Sequence, residues 1–181
     1  MARASTTSNP CTDLQAAAAR HDYVRIWRKV RPAERDRRIA HALARLAEGE
    51  TLAQVAATWS MSGSALCRAL LAYAPGEWRR ALAARAIVKY EAATDEYLAD
   101  PRNPVARGRA WATRWHLEHA LSKLGTAPGV SVRMPVFTGD CPNCSHRSVC
   151  GKIGQAARCY RCEWEGDAKS YLLGDPQAPR S

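Results

Sequence analysis

The amino-acid sequence predicts a mainly α chain that closes with a small cysteine-bearing β module. Three observations predict it. Apolar residues recur at helical spacing from Ile39 to Leu124, and caps and breakers divide that stretch into segments. Five of the seven cysteines fall between positions 141 and 162. A length of 181 residues leaves room for one ordinary domain or two to three small ones.

The elements follow in order. Residues 1–22 are small, polar and alanine-rich, and read as a mobile arm. A helix can start at Pro32, a residue favoured in the first turn, and Ile39, Leu43 and Leu46 follow at i, i+4 and i+7 until Gly49 ends it. A short helix fits Thr51 to Trp59, with Leu52, Val55 and Ala56 inward. Ser60-Met61-Ser62 is a turn. Ser62 caps the next helix, which carries Leu66 and Leu70 on one face and stops at Ala74-Pro75-Gly76.

A long helix then runs from about Glu77 to Ala99, with a stripe of Trp78, Leu82, Ala86, Tyr90, Ala93 and Tyr97. Asn103 caps and Pro104 opens another helix. It carries Leu117, Leu121 and Leu124 on one face, a second ridge of Trp111 and Trp115, and Gly125 at its end. Two long helices with a short break between them predict an antiparallel hairpin, and the wide apolar stripe predicts self-association. The expected division is 23–74 for a first helical domain, 75–125 for the hairpin, 126–130 for a linker, 131–173 for the cysteine module and 174–181 for a tail.

The module reads Cys141-Pro-Asn-Cys144, fourteen residues, then Cys159-Tyr-Arg-Cys162. Each C-x-x-C pair lets two thiolates grip one ion from a tight turn whose backbone amides point at sulfur. Four thiolates complete the tetrahedral shell that zinc prefers, and a closed shell is structural. A segment this small cannot hold itself together by burial alone, so one Zn2+ supplies much of its folding energy. The module resembles a zinc ribbon: Gly151 to Ala157 can pass through a hairpin strand, and Trp164 and Gly166 follow the last ligands. Iron also suits four thiolates. A redox dithiol would need a βαβ setting, which is missing. His146 and Cys150 are spare ligand candidates, with Cys150 expected to be a free buried thiol. Cys11 and Cys67 have no assigned role.

Residues 51–71 follow the helix-turn-helix pattern, with Ala56 small where the helices cross and Ser60 where a turn glycine is usual. In this pattern the second helix enters the DNA major groove by its N-terminal end. Ser62, Gly63, Ser64 and Arg68 are therefore the candidate DNA-facing residues, with Arg68 as the base or phosphate contact. A basic run, Arg25, Arg28, Lys29, Arg31, Arg35 and Arg38, precedes them and suits phosphates. The net charge is +10, and all but five of the 27 basic residues are arginine. That balance points to a polyanionic partner, double-stranded DNA, although an arginine- and alanine-rich composition can also reflect the coding bias of the source. No apolar h-region and no membrane-length apolar stretch are visible, so a cytoplasmic protein with reduced thiols is expected.

From Ile39 to Gly125 the order of parts resembles the small terminase subunit of tailed bacteriophages. The resemblance rests on Leu43-Ala-Arg-Leu-Ala-Glu-Gly-Glu-Thr-Leu, Met61-Ser-Gly-Ser-Ala-Leu-Cys-Arg-Ala-Leu, Trp78-Arg-Arg-Ala-Leu-Ala-Ala-Arg, Val105-Ala-Arg-Gly-Arg-Ala-Trp-Ala-Thr-Arg-Trp and Ser122-Lys-Leu. It implies a ring-forming, non-catalytic adaptor that recognises viral DNA and presents it to a large ATPase-nuclease, in the cytoplasm of a bacterial host. The tyrosine-glycine that often follows the closing lysine-leucine is absent, and a zinc ribbon is not a usual part of that family. A phage or mobile-element transcription regulator is the alternative reading. The front end of a primase or transposase is a second, weakened by the lack of a Walker-type phosphate loop and of an acidic cluster.

Overall fold

Helices form where the caps and apolar spacing place them. The computed structural model describes residues 30–125 and 130–175. They divide into two units, one ending at Ala42 but also holding Thr51–Pro75, the other holding Leu43–Glu50 and the chain from Gly76 onward. Helix α1 (Pro32–Ala47) runs from the first into the second. Its inward row is Ile39, Ala42 and Leu46, while Leu43 is only half-buried.

In the first unit, α2 (Leu52–Ala57) and α3 (Gly63–Tyr73) pack together. Thr51 opens α2 with a capping box: its hydroxyl accepts from Gln54 N at 3.2 Å and its own N–H donates to Gln54 Oε1 at 2.8 Å. Val55, Ala56, Leu66 and Leu70 are fully buried. Ser60, standing in for the usual turn glycine, takes the left-handed conformation itself at φ 51°. Met61 is buried and its N–H returns to Ala56 O at 3.1 Å, which closes the turn.

The second unit is built on a hairpin of α4 (Pro75–Ala99) and α5 (Pro104–Leu124). Asn103 Oδ1 accepts from Val105 N and Ala106 N, and Gly125 ends α5 at φ 72°. The expected α4 stripe is only partly the buried one. Trp78, Tyr90 and Ala93 are buried, but Leu82, Ala86 and Tyr97 are half-buried, and Ala83, Ala84, Ile87 and Thr94 take the interior places. The reason is the sheet, which draws Ala83, Ala84, Ile87 and Tyr90 into its own core and so rotates the buried face away from the stripe.

That sheet is an antiparallel meander in chain order: β1 (Ser131–Arg133), β2 (Val136–Gly139), β3 (Val149–Lys152), β4 (Ala156–Cys159) and β5 (Glu165–Asp167). A short helix α6 (Ala168–Leu172) follows, capped by Asp167. The extended run expected at Ser131 to Phe137 is thus two strands with a turn. Phe137 lies opposite Gly151, and Gly151 opposite Ala157, so small residues make room for the ring.

One apolar cluster joins Ile87, Tyr90, Leu117 and Leu121 of the hairpin to Val132, Phe137, Val149 and Leu172 of the sheet module. Glu118 Oε1 also accepts from Val132 N at 3.3 Å. The linker expected at 126–130, of which 126–129 lie outside the described residues, therefore does not divide the hairpin core from the sheet core. No helix among the described residues is long and apolar enough to cross a membrane.

Candidate metal centre

Two knuckles carry the cysteines. The first joins β2 to β3 and the second joins β4 to β5. In the first, Cys141 N–H donates to His146 O at 2.7 Å and Ser145 N–H to Cys141 O at 2.8 Å, with Ser145 at φ 57°. In the second, Cys159 N–H donates to Trp164 O at 2.9 Å. Backbone amides converge on sulfur: Asn143 N on Cys141 Sγ at 3.4 Å, and Arg161 N and Cys162 N on Cys159 Sγ at 3.3 and 3.4 Å. Such donors stabilise negative sulfur.

The Sγ atoms of Cys141, Cys144, Cys159 and Cys162 all lie within 4.8 Å of one another. Cys141 and Cys162 are 3.6 Å apart and Cys144 and Cys159 3.8 Å. A disulfide would bring sulfurs to about 2.05 Å. Four sulfurs set about 2.3 Å from a zinc-sized ion would instead form a tetrahedron with edges near ~3.8 Å. The four cysteines are thus a cluster that could hold one metal ion, with no fifth cysteine in it among the described residues.

Their protonation differs. The backbone amide of His146 leads in drawing Cys144 down to about 6. Burial pushes Cys141 up to about 12. Burial also opposes ionisation of Cys159, yet the Ser148 hydroxyl and the Arg161 and Cys162 amides bring that thiol below its ordinary value.

Two supporting residues carry no signal in the sequence, since each acts through a contact distant along the chain. Ser148 is buried, and its hydroxyl lies 3.0 Å from Cys159 Sγ and 3.7 Å from Cys144 Sγ. Tyr171 donates to Asp140 O at 2.7 Å, which fixes the residue just before Cys141, while its ring stacks on Phe137 at 5.7 Å and tilts against Trp164. Burial, helped by the charge of Asp140, pushes that phenol up to about 12, so it remains a donor at neutral pH. Cys150 is exposed on β3, not buried as expected, because alternate residues of that strand face solvent. His146 is exposed too, and its Nδ1 contacts Cys144 O rather than joining the cluster.

The residues expected to meet DNA fall into four groups. Ser64 and Arg68 are exposed on α3, and Arg31 is exposed just before α1. Ser62 is half-buried as the N-cap, accepting from Ala65 N at 3.2 Å. Gly63 faces α2: a Cβ there would lie 3.4 Å from Ala53 N and Leu52 Cβ. Arg35 lies over the Tyr73 ring at 4.4 Å, and Arg38 donates to Glu34 at 2.8 Å, so both are partly engaged within the unit. Glu34 itself is held below the usual carboxylate range, chiefly by that Arg38 bond. Arg25, Arg28 and Lys29, and also Cys11, lie outside the described residues.

Comparison with protein-family models, with curated proteins and with solved structures finds no match for this chain.

Proposed function

We propose that this protein is a non-catalytic, double-stranded-DNA-binding adaptor whose C-terminal sheet is held by one structural zinc ion. The observation that carries the DNA reading is the start of α3. Ser62 caps it, α2 braces it, and Ser64 and Arg68 stand exposed one turn apart. A helix presented end-on in this way can lay its first turns in a major groove, where an arginine matches the guanine edge. Arg31 and, in the run before it, Arg25, Arg28 and Lys29 would serve phosphates.

Zinc is favoured over other ions by the all-thiolate donor set and the tetrahedral spacing. Four thiolates leave no open position for a reacting water, which supports a structural role and a non-enzymatic protein. The long hairpin, taken with the resemblance to the phage small terminase subunit, supports a homo-oligomeric packaging adaptor that recruits a large ATPase-nuclease. A closed ring of many subunits in sedimentation would support that role, whereas a dimer on a palindrome would favour a transcription regulator.

Ser64→Glu tests the DNA reading directly. A carboxylate at the first turn of α3 should repel the phosphate backbone and weaken duplex binding in an anisotropy titration, with the helical circular-dichroism signal retained. Undiminished binding by this variant would rule out α3 as the DNA-facing element.

A further inference from the structure

The hairpin is covered by the sheet on one side, and a second side carries an open groove of about 330 Å3 between α4 and α5. Its floor is apolar, made by Leu82, Ala86 and Ala120. Its walls carry Arg79, Arg85, Lys89 and Lys123, with His116 and His119 between them, and no carboxylate among the described residues lines it.

Among the described residues, no carboxylate forms an ion pair with these four cations. Arg85 Nε is buried without a hydrogen-bond acceptor. Partial desolvation of its exposed side chain and the neighbouring Arg85 both work against the charge on Lys89, holding it below the usual lysine range. An apolar floor rewards an apolar side chain, which a phosphodiester chain does not offer. The cationic walls reward carboxylates. The groove follows α4 from Arg79 to Lys89, a run of about 15 Å at the helical rise, which suits about three turns of a docked helix.

We propose that this groove is a docking site for an acidic amphipathic helix of a partner protein, with apolar side chains seated over Leu82, Ala86 and Ala120 and flanking Asp or Glu paired with Arg79, Arg85, Lys89 and Lys123. Helix-in-groove recognition of this kind reads apolar anchors at i, i+3/i+4 and i+7. A second copy of this chain is a poor occupant, because no described helix carries more acidic than basic residues. The groove belongs to the second unit and α3 to the first.

The probe is a synthetic helical peptide with leucines at i, i+4 and i+7 and glutamates beside them, fluorescently labelled and titrated with the metal-loaded full chain. Saturable binding is expected, weakened at least about tenfold by Lys89→Glu and by Leu82→Glu. The same peptide with lysine for glutamate should not bind. Lys89 is exposed, so its variant keeps the fold even if the Leu82 variant does not, and duplex binding by Lys89→Glu should match the parent. The proposal is overturned if no saturable binding occurs or if binding survives Lys89→Glu. It is equally overturned if an oligonucleotide of equal charge displaces the peptide from the parent but not from the variant, which would assign the groove to nucleic acid. Loss of a self-association state in Lys89→Glu without loss of peptide binding would assign it to a second copy.

Discussion

Ser148 is the residue whose position says most about the cysteine cluster. A buried hydroxyl set against two sulfurs is stabilised when those sulfurs carry charge, and such partners commonly tune metal affinity by about 10- to 100-fold. Ser148→Ala should therefore keep one metal equivalent but weaken its affinity by roughly tenfold in a chelator competition. Affinity unchanged in the variant would make the hydroxyl a packing group only. The thiols add a pH dependence. Cys144, held down to about 6, is a thiolate at neutral pH and loses that charge as pH falls through 6. Cys141, pushed up to about 12, still holds its proton there and must release it when metal binds. Loading should thus acidify a weakly buffered solution, and metal affinity should rise from pH 6 to pH 8; an indicator dye and a chelator titration read both. The four clustered cysteines are legible in the sequence because their spacing is local. Ser148 and Tyr171 are not, because their roles depend on where the sheet brings them.

At the scale of elements, local rules place the helices well. The Ser62 and Asn103 caps and the Gly125 terminator lie where the sequence pattern puts them, whereas Thr51, expected as the first helical residue, is the cap of its helix. Which face a helix buries is harder to read. Trp111 and Trp115 look like core residues by spacing but are 55% and 61% exposed, and Trp115 stacks on His119 in the open. Ile87 and Ala83, outside the expected stripe, are buried because the sheet packs against them. Periodicity identifies an apolar face, but only the tertiary partner decides how far it turns. The sheet has its own tight point at Gly151, where a Cβ would meet Phe137 Cζ at 2.8 Å and the Ala157 backbone at 3.0 Å. Gly151→Ala should destabilise the fold by about 1–3 kcal/mol in chemical denaturation through this overpacking. An unchanged midpoint would mean that the Phe137 ring can move aside.

At the scale of the molecule, the shared core revises the view of the C-terminal module as a separate ribbon. Cysteine replacement in a separate ribbon would leave the hairpin untouched. Here Leu117, Leu121, Ile87 and Tyr90 lie in the same cluster as Phe137 and Cys141. Removing the metal with a chelator, or replacing Cys159 by serine, should therefore lower the melting temperature of helical signal as well as of the sheet, in one transition. Two separate transitions, with the helical one unmoved, would restore the linker view. Elemental analysis should find one zinc in the parent and none in Cys159→Ser.

The charge of the whole chain, +10, also predicts a response to salt. Several phosphate contacts from Arg25 to Arg38 would make duplex affinity fall by orders of magnitude between about 50 and 200 mM salt. The most direct test of the account separates that general attraction from reading by α3. A preferred duplex is first selected from a random pool, and the parent, Arg68→Ala and the Arg28→Ala/Arg31→Ala pair are titrated on selected and random duplexes at two salt concentrations. Arg68→Ala should lose roughly 1–3 kcal/mol on the selected duplex and little on the random one. The Arg28→Ala/Arg31→Ala pair should weaken both alike and lower the salt slope. Equal loss on both duplexes for Arg68→Ala would show that the helix from Gly63 to Tyr73 does not read bases.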